Sequence, residues 1–183
     1  MAASHPQQPL RSIKANITRK LQQKSRAALA FAQQKGFNTR FCFFADMSLH
    51  SGSSRFFVYS LTGDSVLMSG LVTHGRCNEW WLEGRKYSNT QGSGCTSLGR
   101  YKVGAAYQGR FGLAYKLHGL DSSNSNAFSR YVVLHAHTCV PQAETVDEIC
   151  QSDGCPTVSP LFLQRLSTFL DKKVSPTLLW VFD

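Results

Sequence analysis

The chain opens with a hydrophobic pattern that has the period of an α-helix. Apolar side chains recur along one face of this segment, at Ile13, Ile17, Leu21, Ala28 and Ala32. Ser12 is a candidate N-cap, and Gly36 is a candidate end because glycine readily adopts the left-handed conformation that stops a helix. The pattern predicts one amphipathic helix of about six turns ahead of residue 40.

From residue 41 onward, short apolar runs replace the helical period. The runs FCFFAD, RFFVYS and SVLMSGLVT predict strands, and the turn LTGD between the last two predicts a hairpin. GRYKVG, LAYKLHGL and YVVLH predict three further strands. The last of these is almost continuously apolar, which is typical of a strand in the centre of a sheet.

The end of the chain combines a helix and a strand. Ser159 and Pro160 occupy the N-cap and first positions that favour a helix over LFLQRLSTFL, and TLLWVF predicts a closing strand. Together the elements predict a mainly β domain, a β-sandwich or curled barrel, with one helix in front and another near the end. The loops of such a domain are where we expect a functional site.

Composition indicates a globular protein rather than a disordered one. Hydrophobic residues make up 42% of the 183 positions and charged residues 17%, and no run approaches the length of a membrane span. A chain of this length buries roughly 70% of its unfolded surface. It can therefore form a core without help from metals or disulfides.

The net charge of +9 is concentrated at the N-terminus. Residues 1–40 carry eight basic and no acidic side chains, whereas residues 41–183 carry twelve basic and eleven acidic ones. We therefore divide the chain into a basic helical arm, residues 1–40, and a domain, residues 41–183. The arm could contact nucleic acid, anionic lipid or an anionic polymer. It is also similar to an organelle transit segment, and we expect no secretory signal because the arm has no continuous apolar stretch.

Cys155 lies in a Gly-Cys-Pro turn shortly ahead of the second predicted helix. A cysteine acts as a nucleophile only as a thiolate, and a neighbouring imidazole can activate it. His135 and His137 are two residues apart at the end of a predicted strand, so both side chains point to one face and either could serve Cys155. The alternative is a buried cysteine and two structural histidines.

A zinc site is a competing use of the same region. Its candidate ligands are His135, His137, Cys139, Cys150 and Cys155. The six cysteines do not show the short repeated spacings of a zinc ribbon, however. If Cys155 is a working thiol, at most two disulfides can form among the other five, and Cys139 with Cys150 is the first pair to test.

Residues 74–99 form a long Gly-, Ser- and Asn-rich loop, which is typical of a binding segment.

Four stretches carry a resemblance to a known family. They are FFVYSLTGDSVLMSGLVTHGR, GSGCTSLGRYKVG, GRFGLAYKLHGLDSSNSNAFSRYVVLHAH and SDGCPTVSP. In this order they resemble a divergent branch of the L,D-transpeptidase (YkuD-type) catalytic domain family, over about residues 53–182. Two positions depart from the commonest pattern of that family: Asp153 stands where a histidine is usual, and Thr157 where an arginine is usual.

The resemblance implies roles for individual residues. Cys155 matches the nucleophile and His135 the base, with His137 as a rival base. The backbone carbonyl of Ala136 would hold the imidazole tautomer, and the backbone N–H groups around Gly154 and Cys155 would face the oxyanion. Residues implied to bind substrate or to shape the cleft are His74, Arg76, Arg130, His137 and Ser152. No metal and no cofactor is implied.

The resemblance also implies a reaction and a location. The expected partners are peptidoglycan stem peptides, joined into 3-3 cross-links through a thioester on cysteine, in the periplasm or cell envelope of a bacterium. No nucleic acid partner is expected. An L,D-carboxypeptidase, an exported toxin against cell walls and a catalytically inactive wall-binding module are the alternatives.

Overall fold

The computed structural model describes the backbone of residues 7–170 and 175–183, and the side chains from residue 14 onward. The helices are α1 (Gln7–Lys35) and α2 (Pro160–Leu170), with a short 3-10 turn at Ser122–Asn124. The strands are β1 (Phe41–Asp46), β2 (Phe56–Ser60), β3 (Ser65–Gly70), β4 (Gly99–Gly109), β5 (Gly112–Gly119), β6 (Val133–Ala136), β7 (Thr157–Val158) and β8 (Thr177–Phe182).

The described strands form one eight-stranded sheet in the order β3-β2-β1-β8-β4-β5-β6-β7. Two pairs are parallel, β1 with β8 and β6 with β7, and the other neighbours are antiparallel. The fold is thus mainly β with two helices, which confirms the predicted class. The predicted hairpin is the antiparallel pair β2–β3.

The prediction that YVVLH is a central strand needs a correction. β6 lies second from the end of the sheet, with only the two-residue strand β7 beyond it, and the closing strand β8 lies in the middle. The apolar run reflects burial instead of position, because Val132 and Leu134 belong to the same buried cluster as Leu166 of α2. A short edge strand and a covering helix bury Leu134 and His135 of β6, while Val133 and Ala136 stay partly exposed.

Helix α1 is longer than the pattern predicts. It spans 29 residues, about eight turns, and begins at Gln7, so Ser12 lies inside the helix and is not its N-cap. Pro9 falls in the first turn, where a missing N–H group breaks no helical hydrogen bond. Gly36 ends the helix in the left-handed conformation, at φ +72°, as predicted. The Ile13 side chain of the predicted stripe lies outside the described residues.

The two helices cover opposite faces of the sheet. Leu21, Ala28 and Ala32 of α1 are buried in one cluster with Phe44 of β1 and Leu178 of β8. The larger cluster lies on the other face and contains the apolar side of α2. Each large apolar side chain buried in this way contributes roughly 1.5–3 kcal/mol. The outcome is a firmly packed sheet, with β6 and β7 held at one end.

Helix α2 begins as the sequence predicts. The N–H group of Phe162 donates to the Ser159 hydroxyl at 3.3 Å, which is an N-cap bond, and Pro160 is the first helical residue. Among the described helices, none is both long enough and apolar enough to cross a membrane.

Candidate active site

The pairing of β6 with β7 brings the two predicted chemical motifs together. The strands are parallel, and His135 lies opposite Thr157 in their register. Cys155 precedes Thr157 by two residues, so it lies beside Val133, whose N–H group donates to the Cys155 sulfur at 3.4 Å. Residues twenty positions apart in the chain thus become neighbours at one end of the sheet.

The His135 ring is fixed in one tautomer. Its Nδ1–H group donates to the carbonyl oxygen of Ala136 at 3.1 Å, so Nε2 of the neutral ring carries a lone pair. The Thr157 hydroxyl lies 3.0 Å from Nε2 and donates to it. Phe111, at the tip of the β4–β5 hairpin, stacks on the ring with the centroids 5.0 Å apart. The ring therefore has one face covered and its basic nitrogen turned toward Thr157.

The Cys155 sulfur is held by main-chain groups. Besides the N–H group of Val133, it contacts the carbonyl oxygen of Tyr131 at 3.8 Å, to which a thiol can donate. Tyr131 adopts the left-handed conformation, at φ +58°. No hydrogen bond within the described chain joins this sulfur to the His135 ring. Cys155 lies two residues before Thr157, the register partner of His135, and both Cys155 and His135 line the same cavity.

Burial shifts both titrating groups toward their neutral forms. It raises the pKa of the Cys155 thiol, which the hydrogen bond from Val133 partly offsets, and the charge of Asp153 raises it further. Burial lowers the pKa of His135; its bond to Ala136 opposes this, and His137 adds to it. At neutral pH the resting pair is therefore a thiol beside a neutral imidazole.

The turn before Cys155 is built by Ser152 and Gly154. The Ser152 hydroxyl donates to the carbonyl oxygen of Cys155 at 2.7 Å and accepts from the N–H group of Gly154 at 3.2 Å. Gly154 has φ +105°, and a Cβ atom there would lie 2.6 Å from the carbonyl oxygen of Cys95. Only glycine fits this position. Because its N–H group is already bonded, Gly154 shapes the turn, and the N–H group of Cys155 forms no hydrogen bond to any described residue.

A cavity of about 410 Å³ opens over this pair. Its lining residues are Thr73, Arg76, Trp80, Phe111, His135, His137, Cys139, Gln151, Ser152, Asp153, Cys155 and Thr157. The sequence did not single out Trp80 or Phe111, and it noted Thr157 only as a departure from the family pattern. Trp80 is 94% exposed, which is unusual for tryptophan, and its place in a loop without apolar periodicity was the available signal.

His74 lies away from the cavity. Its ring is buried between two guanidinium groups, with Arg55 3.1 Å from Nδ1 and Arg85 3.4 Å from Nε2. Burial, followed by the charges of Arg85 and Arg55, lowers the pKa of His74 to about 3. Its carbonyl oxygen accepts from the N–H group of Ser152 at 2.9 Å. His74 thus supports the turn before Cys155 through its main chain, and its side chain does not line the cavity.

The two predicted arginines occupy different environments. Arg76 lines the cavity and pairs with Asp153 at 2.8 Å, both side chains being exposed. Arg130 points into the long loop instead. Its guanidinium donates to the carbonyl oxygens of Ser88 and Cys95 and to the hydroxyls of Ser93 and Ser97. Arg130 therefore holds the loop that packs against Gly154.

His137 carries the opposite tautomer from His135. Its Nδ1 atom accepts from the N–H group of Cys139 at 3.1 Å, so the neutral ring bears its proton on Nε2. The ring lines the cavity and meets Phe111 edge to face, with the centroids 5.6 Å apart. The lone pair of the neutral His137 ring is therefore bonded to a main-chain N–H group, whereas that of His135 meets a hydroxyl that can rotate.

Two disulfides join loops around the cavity. Cys139 is bonded to Cys150, the predicted pair, and Cys77 is bonded to Cys95, which the sequence did not indicate. The Cys77–Cys95 bridge closes residues 74–99, so the apparent loop is cross-linked. The Cys139–Cys150 bridge removes two of the five candidate zinc ligands. In the described part of the chain, no group of three His, Cys, Asp or Glu side chains is placed to hold a metal ion.

Solved structures offer distant likenesses to this chain. An L,D-transpeptidase from Mycobacterium smegmatis is 13% identical with a TM-score of 0.44, and 78% of this chain aligns with 58% of that one. The Mycobacterium tuberculosis L,D-transpeptidase 1 is 14% identical with a TM-score of 0.39, over 78% of this chain and 62% of that one. The helical cell shape determining protein Pgp2 from Campylobacter jejuni is 9% identical with a TM-score of 0.48, over 77% and 46%. This chain therefore spans about half to three-fifths of their length.

Sequence comparison gives the decisive assignment. No curated protein matches this chain. The profile of the L,D-transpeptidase catalytic domain, in contrast, matches residues 13–180. The match extends about forty residues further toward the N-terminus than the stretch of resemblance in the sequence, and it includes most of α1. The division at residue 40 stays a prediction. Because the match covers nearly the whole chain, this protein belongs to the L,D-transpeptidase catalytic domain family.

Proposed function

We propose that this protein is a cysteine-dependent L,D-transpeptidase acting on peptidoglycan stem peptides. The observation that carries the proposal is the parallel register of β6 and β7, which lines one cavity with Cys155 and His135. The bond from His135 to Ala136 supports it, because this bond leaves Nε2 as the basic nitrogen on the side of Thr157 and the cavity. Membership of the family supplies the substrate class.

The reaction begins when the Cys155 thiol rotates from Val133 toward His135. Nε2 takes the thiol proton, and the sulfur attacks the carbonyl carbon between the diamino acid and the terminal D-alanine of a stem peptide. The imidazolium then gives that proton to the departing amine of D-alanine, leaving a thioester on Cys155. The amine of a second stem attacks the thioester, His135 takes a proton from it, and the released thiol regains that proton. The product is a 3-3 cross-link.

The negative charge on the carbonyl oxygen needs hydrogen-bond donors during both attacks. The N–H group of Gly154 is engaged with Ser152, so the N–H group of Cys155 is the better candidate. One such donor lowers the barrier by about 3 kcal/mol. The bonds of Ser152 to Cys155 and Gly154 would keep this donor in place.

The cell envelope is the proposed location. Two disulfides form among the described cysteines, and disulfides persist in oxidising compartments outside the cytosol. The basic side chains of α1 remain a proposed contact for an anionic surface. In the structure, the Lys24 ammonium group lies over the rings of Trp180 and Phe182, so part of the positive charge of α1 already contacts β8.

The test is covalent capture of the acyl-enzyme. The protein is incubated with a carbapenem or a tetrapeptide donor, and intact-mass spectrometry measures the adduct. We expect one adduct on the unaltered protein and none on the Cys155→Ala variant, whose fold should survive because the side chain packs into no apolar cluster. Cys42→Ala is the matched control, since Cys42 is a free thiol buried behind the sheet, and its adduct should persist.

Two outcomes would contradict the proposal. An adduct that still forms on the Cys155→Ala variant would place the nucleophile elsewhere, and a folded protein that never acylates would indicate an inactive wall-binding module. Product analysis with donor and acceptor peptides then separates the reactions. A cross-linked dimer identifies a transpeptidase, whereas release of D-alanine with a free tripeptide stem identifies an L,D-carboxypeptidase.

A further inference from the structure

Thr157 has a hydroxyl group with two hydrogen-bond acceptors. Its Oγ1 atom lies 3.0 Å from Nε2 of His135 and 3.3 Å from the carbonyl oxygen of Cys155. The residue is 3% exposed. Thr73 holds the backbone of Thr157 through two hydrogen bonds. The Thr73 N–H group donates to the Thr157 carbonyl oxygen at 2.9 Å, and the Thr73 hydroxyl accepts from the Thr157 N–H group at 3.2 Å. The hydroxyl is therefore held at this point and can only rotate.

The rotation of that hydroxyl suits both states of the histidine. When His135 is neutral, the Thr157 hydroxyl donates to the lone pair of Nε2. When Nε2 is protonated, it becomes a donor, and Oγ1 can accept from it while the hydroxyl hydrogen turns to the Cys155 carbonyl oxygen. No bond to Thr157 is made or broken, and only hydrogen positions change.

We propose that Thr157 is a positioning residue that stabilises the imidazolium form of His135 during acyl transfer. Hydrogen bonds to a charged group are roughly twice as strong as neutral ones, so the hydroxyl favours the protonated ring over the neutral ring. The inference rests on the proposed function and deepens it.

The surroundings of His135 make such a partner necessary. Phe111 covers one ring face, and burial disfavours the charged form. The titrating and charged groups that line the same cavity are His137, Cys155, Arg76 and Asp153. Arg76 and Asp153 pair with each other, and His137 opposes a second positive charge. Thr157 is then the polar side chain in contact with Nε2 that accepts from the protonated ring.

The proton path follows directly. The thiol proton of Cys155 moves to Nε2 as the sulfur attacks, and the new Nε2–H group donates to Oγ1 of Thr157. When the amine of D-alanine departs, Nε2 gives it this proton, and the Thr157 hydroxyl returns to donating to the lone pair. Thr157 thus stabilises the ring between the two transfers without itself gaining or losing a proton.

The test compares Thr157→Val, which keeps the shape and removes the hydroxyl, with Thr157→Ser, which keeps the hydroxyl. NMR titration of the His135 ring gives its pKa without any substrate, and carbapenem acylation is followed by mass spectrometry. For Thr157→Val we expect the pKa of His135 to fall by about 0.7 and acylation to slow about fivefold. For Thr157→Ser we expect both values to stay near those of the unaltered protein.

The outcomes are separable. An unchanged pKa of His135 in folded Thr157→Val protein would overturn the inference, and so would a Thr157→Ser protein as impaired as the valine variant. Should Thr157→Val fail to fold, the titration of Thr157→Ser against Thr157→Ala decides in the same way. If the unaltered protein forms no acyl-enzyme at all, the proposed function fails, whereas the titration still reports whether Thr157 stabilises the charged ring.

Discussion

Two histidines that the sequence assigns to one cleft lie in contrasting surroundings. His135 lines the open cavity, with Nδ1 bonded to a carbonyl oxygen and Nε2 bonded to a hydroxyl that can donate or accept. His74 is enclosed by Arg55 and Arg85, which can only donate. A ring beside two donors is held neutral, whereas a ring beside an adaptable hydroxyl can gain and lose a proton.

The contrast shows what decides the role of a histidine in this fold. Both residues lie at loop or strand ends beside the turn before Cys155, and both rings are buried enough to have a lowered pKa. They differ in the hydrogen-bonding capacity of their partners and in access to the cavity. Two predictions address this difference and a third addresses the thiol of Cys155, in order from the largest expected change in free energy to the smallest.

Replacing His135 by alanine should have the largest effect. Without the base, acylation of Cys155 should slow by about 10²–10⁴-fold, which corresponds to about 3–5.5 kcal/mol in the barrier. The measurement is the rate of carbapenem adduct formation, with circular dichroism to verify the fold. His137→Ala is the comparison and should lose much less, because its basic nitrogen is bonded to the backbone. Equal losses in the two variants would contradict the assignment of the base.

Replacing His74 by alanine should impair stability instead of chemistry. The change removes the ring that accepts from Arg55 and leaves a small cavity, which together lower the free energy of unfolding by about 2–3 kcal/mol. For a domain of this size, thermal unfolding should shift down by about 4–12 °C. The folded fraction should still acylate within about threefold of the unaltered rate. A stable variant that has lost acylation would contradict this prediction and indicate that the His74 side chain acts in the cleft.

The pH dependence of Cys155 alkylation should give the smallest change in free energy, spread over a range of pH. Burial raises the pKa of Cys155 above its usual value, so the thiolate is the minor form at neutral pH. Alkylation by iodoacetamide should therefore rise about tenfold per pH unit between pH 7 and 9, or about 1.4 kcal/mol per unit. A plateau already reached at pH 7 would show a lowered pKa and a resting thiolate. The Cys155→Ala protein corrects for reaction at other thiols.

Several features were predictable because they depend on local physics. Gly36 ends α1 and Ser159 caps α2, since a left-handed glycine and a hydroxyl N-cap act within one helical turn. The alternating and continuous apolar runs located the strands for the same reason. Ser12 was misleading as an N-cap because the preceding residues, including Pro9, also tolerate a first turn.

Other features depend on contacts that no local pattern encodes. The Cys77–Cys95 bridge, the burial of His74 and the placement of Phe111 on His135 all join segments that are distant in the chain. Arg130 illustrates the same point, because its four hydrogen bonds go to loop residues that lie 33–42 positions earlier in the chain. Disulfide connectivity likewise cannot be deduced from spacing alone.

By itself, the sequence determined the mainly β class and the two helices, because hydrophobic periodicity and helix caps are carried by neighbouring positions. It also predicted Cys155 as nucleophile and His135 as base, through a family resemblance. Tertiary structure alone decided which partners each side chain meets. The parallel register of β6 and β7 is the clearest case, since sliding one strand by a single residue would turn Thr157 away from His135. Hydrogen bonds act over about 3 Å, and only the folded chain fixes distances on that scale.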